Sequence, residues 1–387
     1  MNFEYLMPTK VITKKGVSAD IGYYANEYHL KYVLIISDKG VEKAGLLTPI
    51  YHSLDEYQIQ YKSFYDVKPN PHDTDCDRIA AKFSDATIDA IIAIGGGSVI
   101  DTAKAVSILC TNKGTIKDYE GMEVAKQPPL PLLCVPTTAG TGSEVTSWSI
   151  ITDTTKHYKM GVGDQRIIPK LALLDVELTQ SMPASVAAST GLDALTHAIE
   201  AYTCRIANPI TDGLALHAIR LVKENLATAV QDGDAAAREN MLIASLMAGI
   251  AFGNADTAGV HCLSEAIGGR YDTSHGVANA IFLPYMFHHN MDADFKRHAE
   301  VGFALGVDAG NTVEKAAYET VEILLDFNQQ FNIPAFAELD KVEQNDFQQL
   351  AETAVQSSSN PNNAKEMAVP DYVKVMEEAY RNVLAYS

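Results

Sequence analysis

The stretch GVHCLSEAIGGRYDTSHG, residues 259–276, holds two imidazoles, His261 and His275, and a carboxylate, Glu265, one helical turn after the first. Upstream, GLDALTHAIEAY, residues 191–202, sets Asp193 and His197 four residues apart, the spacing that puts two side chains on one face of a helix. Their neighbours Ala194, Ile199 and Ala201 are small or apolar, so burial is expected. A buried carboxylate one turn from a histidine needs a partner, and a divalent cation would satisfy both. Three imidazoles and one carboxylate are a set suited to Fe²⁺ or Zn²⁺. A polar pair in a core beside two ordinary histidines has the same spacing, and the residues alone leave both readings open.

A second kind of chemistry is suggested by AIIAIGGGSVIDTAKAV, residues 90–106, where an apolar run passes through Gly95, Gly96, Gly97 and Ser98 into a helical pattern. Glycines let a backbone approach a ligand closely, and the start of a helix offers amides and a positive dipole end to a phosphate. The G-x-G-x-x-G fingerprint itself is not met, because Ile100 stands where the third glycine would fall. PTTAGTGSEVT, residues 136–146, is another loop after an apolar run, and Thr137, Thr138, Gly140, Thr141, Gly142 and Ser143 can offer amides and hydroxyls. Two such loops at strand ends point to a dinucleotide across a sheet edge. Asp38 closes the run YVLIIS; an acid there suits ribose hydroxyls and repels a 2′-phosphate, favouring NAD over NADP, or it merely caps the next turn.

These candidates need elements to hold them. KYVLIIS (31–37), IQYKSFYDV (59–67), IDAIIAIGGG (88–97) and LPLLCVPTT (130–138) read as strands. AGLLTPIYHSLDEY (44–57), DRIAAKFSDA (77–86) and SVIDTAKAVSILC (98–110) alternate with them as helices, a pattern that implies a largely parallel sheet. Beyond about residue 180 helical periodicity dominates, ending in PDYVKVMEEAYRNVLAY (370–386). The expected organisation is an α/β dinucleotide-binding domain with a parallel sheet, residues 1–180, and an all-helical domain, 181–387, with a cleft between them.

Composition narrows the function. The 387 residues are 47% hydrophobic and 20% charged, as in a globular protein, and the net charge of −19 argues against a nucleic-acid or anionic-membrane partner. Five scattered cysteines without a C-x-x-C pair suggest neither a disulfide framework nor a zinc knuckle. No secretory pattern is visible and no apolar run reaches the roughly 18 residues of a membrane span, so a cytoplasmic protein is the expectation. His72, His288 and His289 read as turn or helix-end residues, and Trp148 as a packing residue.

GGGSVIDTAK, PTTAGTGSEVT, GLDALTHAIEAY and YDTSHGVANAIFLPY, taken together and in this order, resemble the iron-containing (type III) alcohol dehydrogenase family, alongside glycerol dehydrogenases and dehydroquinate synthases. The resemblance spans residues 38 to about 290 with compatible flanks. It implies Asp193, His197, His261 and His275 as metal ligands at the base of the cleft. It also implies cofactor contacts at Gly95, Gly96, Gly97, Ser98, Asp101, Thr137 and Thr138, and at Lys159 in HYKMGV; Asp38, Thr141 and Ser143 complete the expected cofactor set. Where many members carry histidine, this chain has Glu265. It is the candidate catalytic residue, able to relay protons, coordinate the metal or select a polar substrate, or else only to rim the pocket.

The implied activity is hydride transfer between NAD and a small primary alcohol, diol or hydroxyaldehyde, with Fe²⁺ (or Zn²⁺) polarising the substrate oxygen. A glycerol dehydrogenase-like polyol oxidoreductase is an alternative. A dehydroquinate synthase-like lyase needs a basic pocket, and 181–290 offers only Arg205, Arg220, Lys223, Arg238 and Arg270 besides histidine. A non-catalytic binding protein is a third reading, with altered Glu265 the one feature in its favour. A homodimer or larger homo-oligomer is expected by resemblance.

Overall fold

The computed structural model describes residues 2–84 and 87–384, and the chain forms two compact units. One is Leu6–Pro183; the other runs from Ala184 onward and takes in the residues before Leu6.

The first unit is α/β. Its strands are β1 (Lys10–Thr13), β2 (Tyr32–Ile36), β3 (Gln60–Phe64), β4 (Ala90–Gly95), β5 (Gly121–Met122), β6 (Leu132–Pro136), β7 (Trp148–Asp153), β8 (Tyr158–Gly163) and β9 (Leu171–Leu174). Its helices are α1 (Ile21–Glu27), α2 (Lys39–Lys43), α3 (Thr48–Glu56), α4 (Asp73–Lys82) and α5 (Gly97–Leu109). Six strands pair in parallel in the order β1-β9-β6-β4-β2-β3. Both faces are covered, which is why the central strands read as unbroken apolar runs. Leu34, Ile36, Ile91 and Ala93 pack with Ile79, Ala103 and Val106 from α4 and α5. On the other face Val33, Ile35, Ile92 and Ile94 pack with Ile21, Ile50 and Leu54 from α1 and α3.

Apart from the edge strand β1, the order is that of a doubly wound sheet whose direction of winding reverses between β2 and β4. Ligands of such sheets bind outside the carboxyl ends of the two strands flanking the reversal. Those ends carry Ser37–Asp38 and Gly95–Gly97, and the Ser37 hydroxyl ties them by donating to Ile94 O at 2.6 Å.

The parallel sheet matches the alternation in the sequence, but three features were not legible. β1 and β9 pair with each other at one side of the sheet, each only four residues long. β7 and β8 form an antiparallel hairpin, which joins β5 in a separate sheet of order β5-β8-β7. The hairpin turn is held by Asp153, whose Oδ1 accepts from the amides of Thr155 and Lys156 and from the Thr155 hydroxyl.

The second unit is helical, and among the described residues it contains no strand. Its helices are α6 (Ala184–Thr203), α7 (Pro209–Gln231), α8 (Ala235–Gly253), α9 (Gly259–Tyr271), α10 (His275–Asn290), α11 (Phe295–Ala304), α12 (Val313–Gln330), α13 (Phe347–Val355) and α14 (Val369–Arg381). Positions 85–86 and 385–386, to which two expected helices were extended, lie outside the described residues. No helix among those described is long and apolar enough to cross a membrane.

Candidate metal centre and cofactor loops

Three helices of the helical unit bring the expected ligands together. Asp193 and His197 sit one turn apart on α6, His261 lies in the first turn of α9, and His275 opens α10. The approach of α10 to α6 depends on Gly276: a Cβ there would lie 2.4 Å from the Ser189 carbonyl oxygen. The His197 ring is fixed by stacking on Phe252 of α8, centroids 4.3 Å apart. One ligand atom from each of Asp193, His197, His261 and His275 lies within 4.8 Å of the others.

Asn279, one turn after His275, shares the cluster and is fully buried. Its Nδ2 lies 2.7 Å from Asp193 Oδ1, 3.1 Å from His261 Nε2 and 3.2 Å from His275 Nε2. Two amide hydrogens cannot serve three acceptors, and Asn279 Oδ1 is buried with no hydrogen-bond partner. A pocket of three imidazole nitrogens and a carboxylate oxygen, left short of positive charge and holding an orphaned amide oxygen, fits a divalent cation.

Glu200, one turn beyond His197 on α6, carries its carboxylate to His261 Nδ1 at 2.5 Å. Burial works to depress the His261 pKa, but the hydrogen bond and charge of Glu200, with Asp193 and Glu265 behind it, outweigh burial and raise it. Glu265 is partly buried one turn after His261 on α9, near enough to add to that field.

The α/β unit builds its glycine loops by packing. Gly95 ends β4 with φ +159°, and a Cβ on it would fall 2.5 Å from Val99 Cγ2. A Cβ on Gly96 would meet Thr138 at 3.1 Å, and one on Gly97 would meet Thr141 Cγ2 at 2.5 Å. The second loop therefore lies directly on the first, and the Thr137 amide bonds Gly95 O at 3.1 Å. The amides of Gly97 and Ser98, which open α5, have no carbonyl of their own helix to bond, and Gly96 offers no capping side chain.

Beneath the loops a buried network holds them. Lys104 Nζ donates to Ser143 Oγ at 2.9 Å, Thr146 Oγ1 at 3.1 Å and Trp148 O at 2.8 Å. The Ser143 hydroxyl donates in turn to Asp101 Oδ1 at 2.6 Å, and Asp101 Oδ2 accepts from the Ile150 amide. Burial raises the Asp101 pKa against the pull of Lys104, and burial lowers that of Lys104. The side chains of Asp101 and Ser143, expected as cofactor contacts, are thus bonded within the protein. Asp38 caps α2, its Oδ1 accepting from the amides of Gly40 and Val41 at 2.7 and 3.0 Å. Lys159, on β8, donates to Asn70 Oδ1 at 3.1 Å. His72 precedes α4, His288 and His289 close α10, and Trp148 packs over Gly161 and Gly163.

Residues 8–176 match the family model described as iron-containing alcohol dehydrogenase, and residues 187–380 match that of the Fe-containing alcohol dehydrogenase family, C-terminal. The chain belongs to the iron-containing alcohol dehydrogenase family. Among relatives of this family, an NAD-dependent methanol dehydrogenase of Bacillus methanolicus is 35% identical over 378 residues, 97% of this chain and 99% of the relative. A 1,3-propanediol dehydrogenase of Klebsiella pneumoniae is 36% identical over 374 residues, 95% and 97% of the two chains. The crystal structure of a 1,3-propanediol oxidoreductase superposes with TM-score 0.94 at 34% identity, over 98% of this chain and all of that one. As an iron-containing alcohol dehydrogenase, the protein is an oxidoreductase.

Sequence reasoning passed over Glu200, Asn279 and Lys104. Asn279 was within reach, being four residues after His275. The other two are charged residues inside apolar helices, a pattern that asks for a buried partner without naming one.

Proposed function

We propose that the protein is a metal-dependent, NAD-linked alcohol dehydrogenase or aldehyde reductase acting on small primary alcohols, diols or hydroxyaldehydes, with Fe²⁺ as its metal. The convergence of Asp193, His197, His261 and His275 carries this reading, and the methanol and 1,3-propanediol activities named for the relatives support the substrate class. Residues 1–180 bind the dinucleotide and 181–387 hold the metal. The four ligands would hold the ion, which when bound supplies Lewis-acid polarisation of a substrate oxygen while the nicotinamide supplies or accepts hydride.

The chain's own part is to bind, orient and move a proton. Gly95, Gly96, Gly97 and Ser98, with Thr137, Thr138 and Thr141, present amides and hydroxyls to the diphosphate and nicotinamide ends. Asp101 and Ser143 hold that surface from below. Asp38, at the strand end beside the winding reversal, keeps one carboxylate oxygen for the ribose hydroxyls while the other caps α2. Lys159 reaches the ribose or nicotinamide. Glu265 holds and moves the proton that the alcohol gives up. The same reading takes the protein as a cytoplasmic homo-oligomer.

NADH absorbance decay with a panel of small aldehydes tests it, using protein reconstituted anaerobically with Fe²⁺ or Zn²⁺ beside a chelated control. Turnover that vanishes on chelation is expected, fastest with short primary aldehydes. Metal-loaded, NADH-bound protein that reduces none of them would contradict it.

A further inference from the structure

Glu200 is 3% exposed, and its carboxylate bonds to the start of α9. Its Oε2 accepts from the Ala258 amide at 2.9 Å, its Oε1 from the Val260 amide at 2.7 Å, and Oε2 lies 2.5 Å from His261 Nδ1. Helix α9 starts without a cap of its own, since Ala258 at the N-cap position has no side chain able to accept. The next first-turn amide, Gly259 N–H, goes to Asn363 Oδ1 at 3.2 Å. Glu200 therefore does two things at once: it caps the helix that carries His261, and it faces one nitrogen of the His261 ring.

We propose that Glu200 is a positioning residue for the metal centre, fixing His261 as the Nδ1–H tautomer so that Nε2 keeps its lone pair for the cation. Both Glu200 oxygens accept from backbone amides, so the carboxylate faces the ring as an acceptor and the proton of this hydrogen bond belongs to Nδ1. The surroundings agree: His261 Nε2 faces a donor, Asn279 Nδ2, at 3.1 Å, a group it shares with Asp193 Oδ1 and His275 Nε2. The carboxylate's own burial is offset by two backbone amides and one ring N–H, each a charge-assisted bond. Its place in the sequence gives α6 command of the whole cluster. One helix supplies two ligands, Asp193 and His197, and the group that orients a third, His261, from another helix. Outer carboxylates of this kind set the tautomer and basicity of ligand imidazoles, and their loss weakens metal binding by about 10–100-fold.

This inference rests on the metal-dependent reading above, and the tests separate the two. Glu200→Gln can keep one carbonyl on Nδ1–H and the Ala258 amide, but it loses the carboxylate's charge and turns its NH₂ against the Val260 amide. Nδ1–H is then left with a weaker, poorly held acceptor, and Nε2 becomes a less basic ligand for the cation. Competition against a chromophoric chelator should show Fe²⁺ and Zn²⁺ affinity about 10–100-fold below wild type. Glu200→Asp, which keeps the carboxylate, should fall between the two. Imidazole ¹⁵N spectra of the Zn²⁺-loaded wild-type protein, with the His261 signals identified by their loss in His261→Asn, should show the proton on Nδ1; this measurement needs no folded Glu200 variant. A Gln variant that binds metal within threefold of wild type, or a proton found on Nε2, would overturn the inference alone. Wild-type protein that takes up neither ion would overturn the metal-dependent reading and this inference with it.

Discussion

In the α/β unit, Lys104 reaches three acceptors, Ser143 is both donor and acceptor, Asp101 is bonded through both oxygens, and Thr138 and Thr141 rest on Gly96 and Gly97. In the helical unit, Asn279 stands among Asp193, His261 and His275, with two hydrogens toward three neighbours and an orphaned oxygen of its own. The charged groups of the loops are thus paired within the protein, which leaves shape, backbone amides and threonine hydroxyls to offer a ligand. The ligand cluster is incomplete until positive charge arrives. Shape and charge are different ways of prepairing a site, and they should fail differently when disturbed.

The largest effect should come from removing a ligand. Asp193→Ala or His275→Ala should abolish metal uptake and lower kcat/KM by at least about 10³-fold, while NADH binding, followed by its fluorescence, stays within about twofold. Equal losses of metal and NADH binding would break the comparison.

Metal removal comes next. Because the cluster lacks its charge balance without an ion, saturating metal at about a thousand times its dissociation constant should stabilise the protein by about 4 kcal/mol, read as a higher Tm than in chelator. Asp193→Ala should show no such shift. A smaller effect is expected at the loops. Gly97→Ala sets a Cβ 2.5 Å from Thr141 Cγ2, an overpacking of about 1–3 kcal/mol, and should weaken NADH binding about 5–100-fold with metal affinity unchanged.

The smallest effect concerns Glu144, buried beside the Lys104 network, whose pKa is pushed up to about 7 by burial, partly opposed by Lys104. The fold favours its neutral form. Its stabilising contribution is therefore complete below the ordinary carboxylate range, near 4.5, and is lost as pH rises through about 7. Glu144→Gln should raise Tm relative to wild type by about 3 °C at pH 8 and by less at pH 5. A difference that does not vary with pH would show that Glu144 ionises freely.

The contrast between the two regions also explains what could be read in advance. Glycines forced by packing and a histidine four residues from an aspartate leave local traces, and the strand–glycine–helix passage at 90–106 and the pair Asp193–His197 were visible for that reason. Asp38 was legible as far as its position, and the structure shows its capping bonds. Glu200 and Lys104 were not legible, because their partners lie 61 residues away in His261 and 39 away in Ser143. Nothing local tells a helix-borne carboxylate that binds a distant helix from one that faces water. β1 and β9 escaped for a similar reason: four-residue strands are specified by the neighbours they pair with more than by their own pattern.

The central claim is that four side chains of the helical unit hold one divalent ion on which turnover depends. Chelated protein titrated anaerobically with Fe²⁺ should gain bound metal and NADH-consuming activity together, both saturating at one ion per chain. The same titration of Asp193→Ala should yield neither. Turnover by metal-free protein, or full activity in the Asp193→Ala variant, would contradict the account.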